Sequence, residues 1–158
     1  MAIRLTARRA LMLEADANDH ETQLELLVSN IAPALLDESG VGTLTAAEII
    51  CAWSHPGRLR SEAAFAMLAG VAQLPASSGQ VTRHRLSRCG DRLLNSALHT
   101  IVLSRLTHHE ETRRYASRRQ TEGRSDREIR RCLKRFLARR LFRILESSSL
   151  SPAVRNPT

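Results

Sequence analysis

Lysine is almost missing from this chain, aromatic residues are few, and strand-like alternation is nearly absent. Each scarcity removes a class of function. Lys134 is the single lysine among 24 cations; the rest are arginines, whose planar forks suit bidentate phosphate contacts. GC-rich coding produces the same preference, so the arginine excess decides nothing alone. Aromatic side chains are confined to Trp53, Phe65, Tyr115, Phe136 and Phe142, too few for a platform on which single-stranded bases stack. Cys51, Cys89 and Cys132 lie far apart, with no C-x-x-C or paired Cys/His spacing. That pattern supports neither a zinc site nor a disulfide framework, and it suits a reducing, cytosolic (cytoplasmic) chain. No apolar run is long enough to span a bilayer and no signal-peptide h-region is visible, so no membrane partner is expected. The acids Glu14, Asp16, Asp19, Glu21 and Glu25 fall on the polar side of N-terminal helices rather than on strands, which offers no two-metal nuclease centre. His20, His55, His99, His108 and His109 form no metal-ligand pattern, and there is no glycine-rich nucleotide loop. No cofactor or metal is therefore expected within the chain itself.

What is present is charge, unevenly placed. At 158 residues and 42% apolar content, the sequence suits one domain with a real core rather than a disordered chain. Residues 1–77 hold 5 arginines against 9 carboxylates, whereas residues 78–146 hold 18 cations against 7 carboxylates. The rise begins at Ser77-Ser78-Gly79. A polyanion, meaning nucleic acid, is the partner this distribution implies.

Helical periodicity dominates, so the fold class expected is all-α. Residues 2–17 read as a helix, with a possible break near Asn18-Asp19. Leu24, Leu27, Val28, Ile31 and Leu35 then recur at three- and four-residue steps, and Pro33 kinks or restarts the pattern. Gly40-Val41-Gly42 stops it. Thr43 or Thr45 caps the next helix, whose buried face is Ala46, Ala47, Ile49 and Ile50. Ser54-His55-Pro56-Gly57 is a turn, and Ser61 opens a short helix through Leu68 with Ala63, Ala64, Phe65 and Met67. Asp91 caps a helix over 92–108 with Leu94, Leu98, Ile101, Val102 and Leu106 on its apolar side. A short polar helix within 110–124 ends at Gly123. Ser125-Asp126-Arg127-Glu128 is a capping box that starts the last helix. Its apolar face is Ile129, Cys132, Leu133, Phe136, Leu137, Leu141, Ile144 and Leu145; its other faces hold Arg130, Arg131, Lys134, Arg135, Arg139, Arg140 and Arg143. Residues 147–158 read as a disordered tail.

Three constellations could carry chemistry. Two helices joined through Gly40-Val41-Gly42 resemble a helix-hairpin-helix module, in which backbone N–H groups grip a DNA phosphate without reading sequence; the bland alternative is a plain helix-to-helix turn. The Ser77-Ser78-Gly79 turn precedes Arg83, His84, Arg85, Arg88 and Arg92. A hydroxyl there could attack a phosphodiester while the cations balance charge on the phosphorus; the bland alternative is a solvated serine-rich loop. His84 reads more naturally as a phosphate contact than as a general base. For the basic amphipathic last helix three readings compete: packing on the domain with a solvated basic rim, contact with a DNA or RNA backbone, or binding to an acidic membrane surface. Its broad apolar face favours packing, with nucleic-acid contact on the exposed edge.

In order, the blocks ALLDESGVGTLTAAEIICAWSHPGRLRSEAAFAMLAGV, PASSGQVTRHRLSRCGDRLLNSALH and TRRYASRRQTEGRSDREIRRCLKRFLARRLFRIL resemble the C-terminal, serine-bearing part of bacterial insertion-sequence transposases of the 110/116/902 type. The likeness runs from roughly residue 7 to residue 146. It implies a coiled-coil-like linker helix over 1–37, a helical DNA-binding domain over 38–146, and the tail over 147–158. It implies that Ser78 is the nucleophile and Ser77 dispensable, with DNA held by Gly40, Gly42, Arg83, His84, Arg85, Arg88 and Arg92. Family members also carry an acidic RuvC-like nuclease domain, use magnesium and a guide RNA, and act as assemblies in which one subunit's acidic domain works beside another's serine. The acidic domain has no counterpart in this sequence. Ser39 and Gln73 stand where the family has proline, and Cys89 where it has glycine. These departures point to a truncated copy unable to transpose alone, with an inactive nucleic-acid-binding remnant, assembling as a homo-oligomer or with full-length relatives, as the rival reading. A helical protein whose arginines merely keep it soluble is the third.

Overall fold

Residues Ala2–Ile31 form one uninterrupted helix, α1, about 45 Å long at 1.5 Å per residue. The computed structural model describes residues 1–75, 84–86 and 90–149, with 73–75, 84–86 and 149 as backbone only. The break considered at Asn18-Asp19 does not occur. Both residues are exposed, and Thr22 Oγ1 donates to Asn18 O at 2.9 Å within an unbroken ladder. Asn and Asp cost a solvated helix only a few tenths of a kcal/mol each. Residues 1–23 are all exposed, and the helix enters the core only through Val28. Leu27 and Ile31, expected in the buried stripe, are 57% and 46% exposed, because among the described residues nothing covers their side of the helix.

Ala32, at φ −151° and ψ 69°, ends α1, and Pro33–Leu35 forms a 3-10 turn. Proline suits that first position because its missing N–H has no partner to lose there. Gly40 turns the chain with φ +81°, and α2 (Thr43–Trp53) follows with Gly42 as its N-cap. Thr45 serves the cap from inside the helix: its hydroxyl accepts from Gly42 N at 3.0 Å and donates to Gly42 O at 2.9 Å. After a turn through Ser54 and Gly57, both at positive φ, α3 (Glu62–Leu68) starts where Ser61 Oγ accepts from Ala64 N.

A short antiparallel ribbon interrupts the helices. β1 (Gln73–Pro75) pairs with β2 (His84–Leu86), in register Gln73 to Leu86 and Pro75 to His84. Three residues per strand leave no room for alternation to show. α4 (Arg92–His108) is capped by Asp91 Oδ1 accepting from Leu94 N at 2.9 Å. α5 (Glu110–Thr121) ends near Gly123, at φ +79°. The capping box of α6 (Asp126–Ser149) forms reciprocally, with Ser125 N donating to Glu128 Oε2 at 3.0 Å and Ser125 Oγ accepting from Glu128 N at 3.4 Å. The helix runs on to Ser149, through residues 147–149 that composition had assigned to the tail.

The fold is all-α, with α4 at its centre. Leu94, Leu98 and Ile101 of α4 are fully buried, with Ile49 of α2, Phe65 of α3 and Leu141 of α6 around them. Phe65 meets Phe142 with ring centroids 5.7 Å apart. Phe136 departs from its expected burial and is 55% exposed. The face of α6 that meets α3 and α4 comprises Leu137, Ala138, Leu141, Phe142 and Leu145, so Phe136 falls on the edge, against Tyr115 of α5 in an edge-on contact. Polar clamps tie α6 to the N-terminal half. Glu38 accepts from Arg140 Nε at 2.7 Å and pairs with Arg105 at 3.8 Å. Arg143 holds Glu62 at 2.8 Å, and Trp53 Nε1 donates to Glu146 Oε1 at 2.8 Å.

Candidate nucleic-acid interface

The root of the ribbon is a close crossing of two chain segments. A Cβ on Gly90 would lie 2.8 Å from both Cα and N of Gly70, so only glycine lets the strand entering β1 pass the strand leaving β2. Asp91 N donates to Leu68 O at 2.7 Å, and Asn95 Nδ2 donates to Ala69 O at 2.6 Å. The other end of the Asn95 amide accepts from Lys134 Nζ at 2.9 Å. One side chain of α4 thereby links the ribbon root to a cation on α6.

Two adjoining recesses open at this junction, with volumes of about 450 and 460 Å³, and they share Gly70, Asn95, His99 and Lys134. The inner one adds Val71, Arg127, Arg130 and Arg131; the outer one adds Ala69, Gly90, Asp91, Arg92 and Ser96. Together they form a trough walled by α4 on one side and the first turns of α6 on the other. Positions 127, 130, 131 and 134 follow helical spacing, which brings their side chains to one face.

The trough is cationic and uncompensated. Arg105, Arg114, Arg118, Arg119, Arg124, Arg140 and Arg143 each pair with a carboxylate. Among the described residues, no carboxylate lies within ion-pair distance of Arg92, Arg127, Arg130, Arg131 or Lys134. Asp91, the acid in the lining, has its Oδ1 committed to the N-cap of α4. Burial, and then the neighbouring Arg130, pushes the Lys134 ammonium below the usual lysine range. Desolvation, followed by Lys134 and Arg130, likewise lowers the His99 imidazole. Like charges gathered in a recess cost stability unless an anion enters.

The hairpin lies at the other end of α4. Gly40 packs there: a Cβ would meet Arg105 Cγ at 3.0 Å and Ile101 O at 3.1 Å. Its glycine is explained by positive φ and by helix contact. Gly42 faces open space, and the helix start beyond it leaves first-turn N–H groups without intrahelical acceptors. The distance along α4 from Asn95 to Arg105 is about 15 Å.

Of the residues expected to touch DNA, Arg92 lines the outer recess and Gly42 is open, while His84 and Arg85 lie in β2, described as backbone. Ser77, Ser78, Gly79, Arg83 and Arg88 lie outside the described residues. The trough brings in Asn95, His99 and Arg127, which sequence reasoning had placed in no site, together with Arg130, Arg131 and Lys134 from the basic faces of the last helix. The spacing of the α6 cations was visible; the partner wall on α4 was not.

Among the described residues no group of three or more His, Cys, Asp or Glu side chains could hold a metal, and residues 76–89 contain no carboxylate at all. No helix among the described residues is long and apolar enough to cross a membrane.

The family model described as Transposase IS116/IS110/IS902 family matches residues 32–117, more than half of the chain, and the chain belongs to that family. Its role is transposase-related, acting on DNA. The match covers the hairpin, the ribbon and α4, and stops before the helix that completes the trough. A search of curated proteins finds no match.

Proposed function

We propose that the chain binds the phosphate backbone of DNA in the cationic trough and presents Ser78 as the nucleophile of a strand-joining step within an assembled transposase. The supporting observation is placement. The unpaired cations of α4 and α6 converge at the foot of the ribbon, and the Ser-Gly segment is the chain that connects its two strands. In the step proposed, Ser78 Oγ forms a bond to the scissile phosphorus, a deoxyribose hydroxyl leaves, and the serine proton passes to a base of the assembled enzyme. Arg83, Arg85, Arg88 and Arg92 offset the charge that develops on phosphorus. His84 adds a phosphate contact. The start of α2 at Gly42, shaped by the Gly40 turn as in a helix-hairpin-helix, grips the backbone without reading sequence.

Asp91 is the one acid among the described lining residues, and this reading assigns the metal chemistry to an acidic nuclease domain on another polypeptide or segment. A guide RNA and a second copy or longer relative are the partners this reading calls for. Two measurements test it. The chain alone should bind duplex DNA or structured RNA with a steep salt dependence, about −0.9 in log–log slope per phosphate neutralised on duplex. Supplied with a family acidic domain, the wild-type chain should exchange strands and Ser78→Ala should bind without exchanging. Equal product from both eliminates the nucleophile. Binding with no exchange by either assigns the chain a nucleic-acid-binding role only.

A further inference from the structure

We propose that the floor shared by the two recesses is a discrete phosphodiester site, in which Lys134, His99 and Asn95 close on one phosphate group of the bound strand. The inference rests on the reading that the trough takes nucleic acid, and it names the group recognised there. The geometry is specific. Lys134 Nζ has three donors, one of them fixed on Asn95 Oδ1 at 2.9 Å, which leaves two for phosphate oxygens. Asn95 is itself fixed, because its Nδ2 donates to Ala69 O at 2.6 Å; its second N–H remains available. Both recesses are the size of small-ligand pockets. A backbone phosphate fits such a floor; a duplex does not enter it and must present one group from its edge.

The identity of the cation supports this placement. The chain uses arginine at 23 of its 24 cationic positions, yet the position hydrogen-bonded to Asn95 is lysine. A compact ammonium can serve Asn95 and a phosphate together from one nitrogen. A planar guanidinium spreads its donors in a fork and requires more room. The surrounding arginines then act as a second ring: Arg127, Arg130 and Arg131 from α6, and Arg92 from α4.

His99 makes the site proton-linked. Among the described residues, the ionisable groups around it are Arg130 and Lys134, with Arg127 and Arg131 beyond them on α6, and Arg92 and Asp91 at the start of α4. The ribbon root contributes Gly70 and Val71, which do not titrate. Positive neighbours and burial hold the free imidazole below its usual range. A neutral imidazole offers one N–H and one lone pair, and a lone pair facing a phosphate repels it. Bound phosphate reverses both influences, so occupation takes up a proton at His99.

The experiment uses the full chain and an oligothymidylate lacking terminal phosphates, whose groups do not titrate in the range scanned. Binding is measured at about pH 5.5 and about pH 7.5, and the His99 ring is followed by NMR with and without the oligonucleotide. The expected result is roughly fivefold tighter binding at the lower pH, with the His99 pKa raised by about one unit on saturation. His99→Gln should abolish the pH dependence, leaving an affinity that is the same at both pH values and weaker than that of the wild type at the lower one. Lys134→Gln should weaken binding about tenfold and remove the His99 response. A His99 resonance indifferent to the oligonucleotide, while salt-sensitive DNA binding persists, overturns the site and leaves the broader DNA-binding reading standing. A response to inorganic sulfate alone, with none to the oligonucleotide, overturns the polynucleotide assignment. Absence of binding to the oligonucleotide and to duplex DNA overturns both.

Discussion

Glu38 illustrates how much a single side chain decides here. It is 9% exposed, pairs with Arg105 from α4 and Arg140 from α6, and sits directly before the Ser39-Gly40 turn. Removing its charge leaves Arg105, 15% exposed and with Nε lacking a partner, without its carboxylate. Arg140 is solvated and loses little. Glu38→Gln should therefore cost about 2–3 kcal/mol in urea unfolding, below the 3–5 typical of fully buried pairs. His99 gives the complementary pH prediction for the free protein. Its folded pKa is lowered, so between that value and the ordinary histidine pKa the unfolded chain binds more protons. Stability should then be fully present above about pH 6.5 and decline as pH falls through that window. His99→Gln should flatten this part of the profile measured by thermal unfolding.

At the scale of elements, caps and glycine turns were legible in the sequence because they depend on neighbours within four residues. Ser61, Asp91 and Ser125 all cap the helices assigned to them. Ser125→Ala should destabilise α6 by about 1 kcal/mol. Its partner Glu128 is held below the usual carboxylate range, chiefly by the Ser125 backbone N–H. The cap is thus complete above the ordinary glutamate pKa and is lost as pH falls through the lowered one. The ribbon was not legible, since three-residue strands show no period. Its foot depends on a crossing between residues 20 apart in sequence, Gly70 and Gly90. Gly90→Ala should force those backbones apart, costing about 1–3 kcal/mol and, with the acidic domain supplied, strand exchange. Retained stability and exchange would show the crossing to be slack.

At the scale of the molecule, charge divides into paired and unpaired sets. Arg114, Arg118 and Arg119 of α5 and the arginines of the Glu38 and Glu62 clamps pair with carboxylates, whereas Arg92, Arg127, Arg130 and Arg131 of the trough have no such pair among the described residues. Substituting a trough arginine by glutamine should lower the magnitude of the salt slope for DNA binding by about 1, and substituting exposed, paired Arg114 should change it little. Filter or anisotropy titrations over a range of salt distinguish the two. Equal effects at both positions would place the contact surface elsewhere.

The sequence by itself determined the helical class, most helix boundaries, the jump in positive charge at the Ser-Gly turn and the motifs of a transposase family. These properties are local, or are sums over the chain. Tertiary structure alone decided that α1 stands almost wholly in solvent, that Phe136 yields its core place to Ala138 and Phe142, and that Asn95 and His99 face Lys134 and the arginines of α6. Periodicity fixes which residues share a face, but which faces meet depends on how separate helices pack, and no single segment encodes that choice.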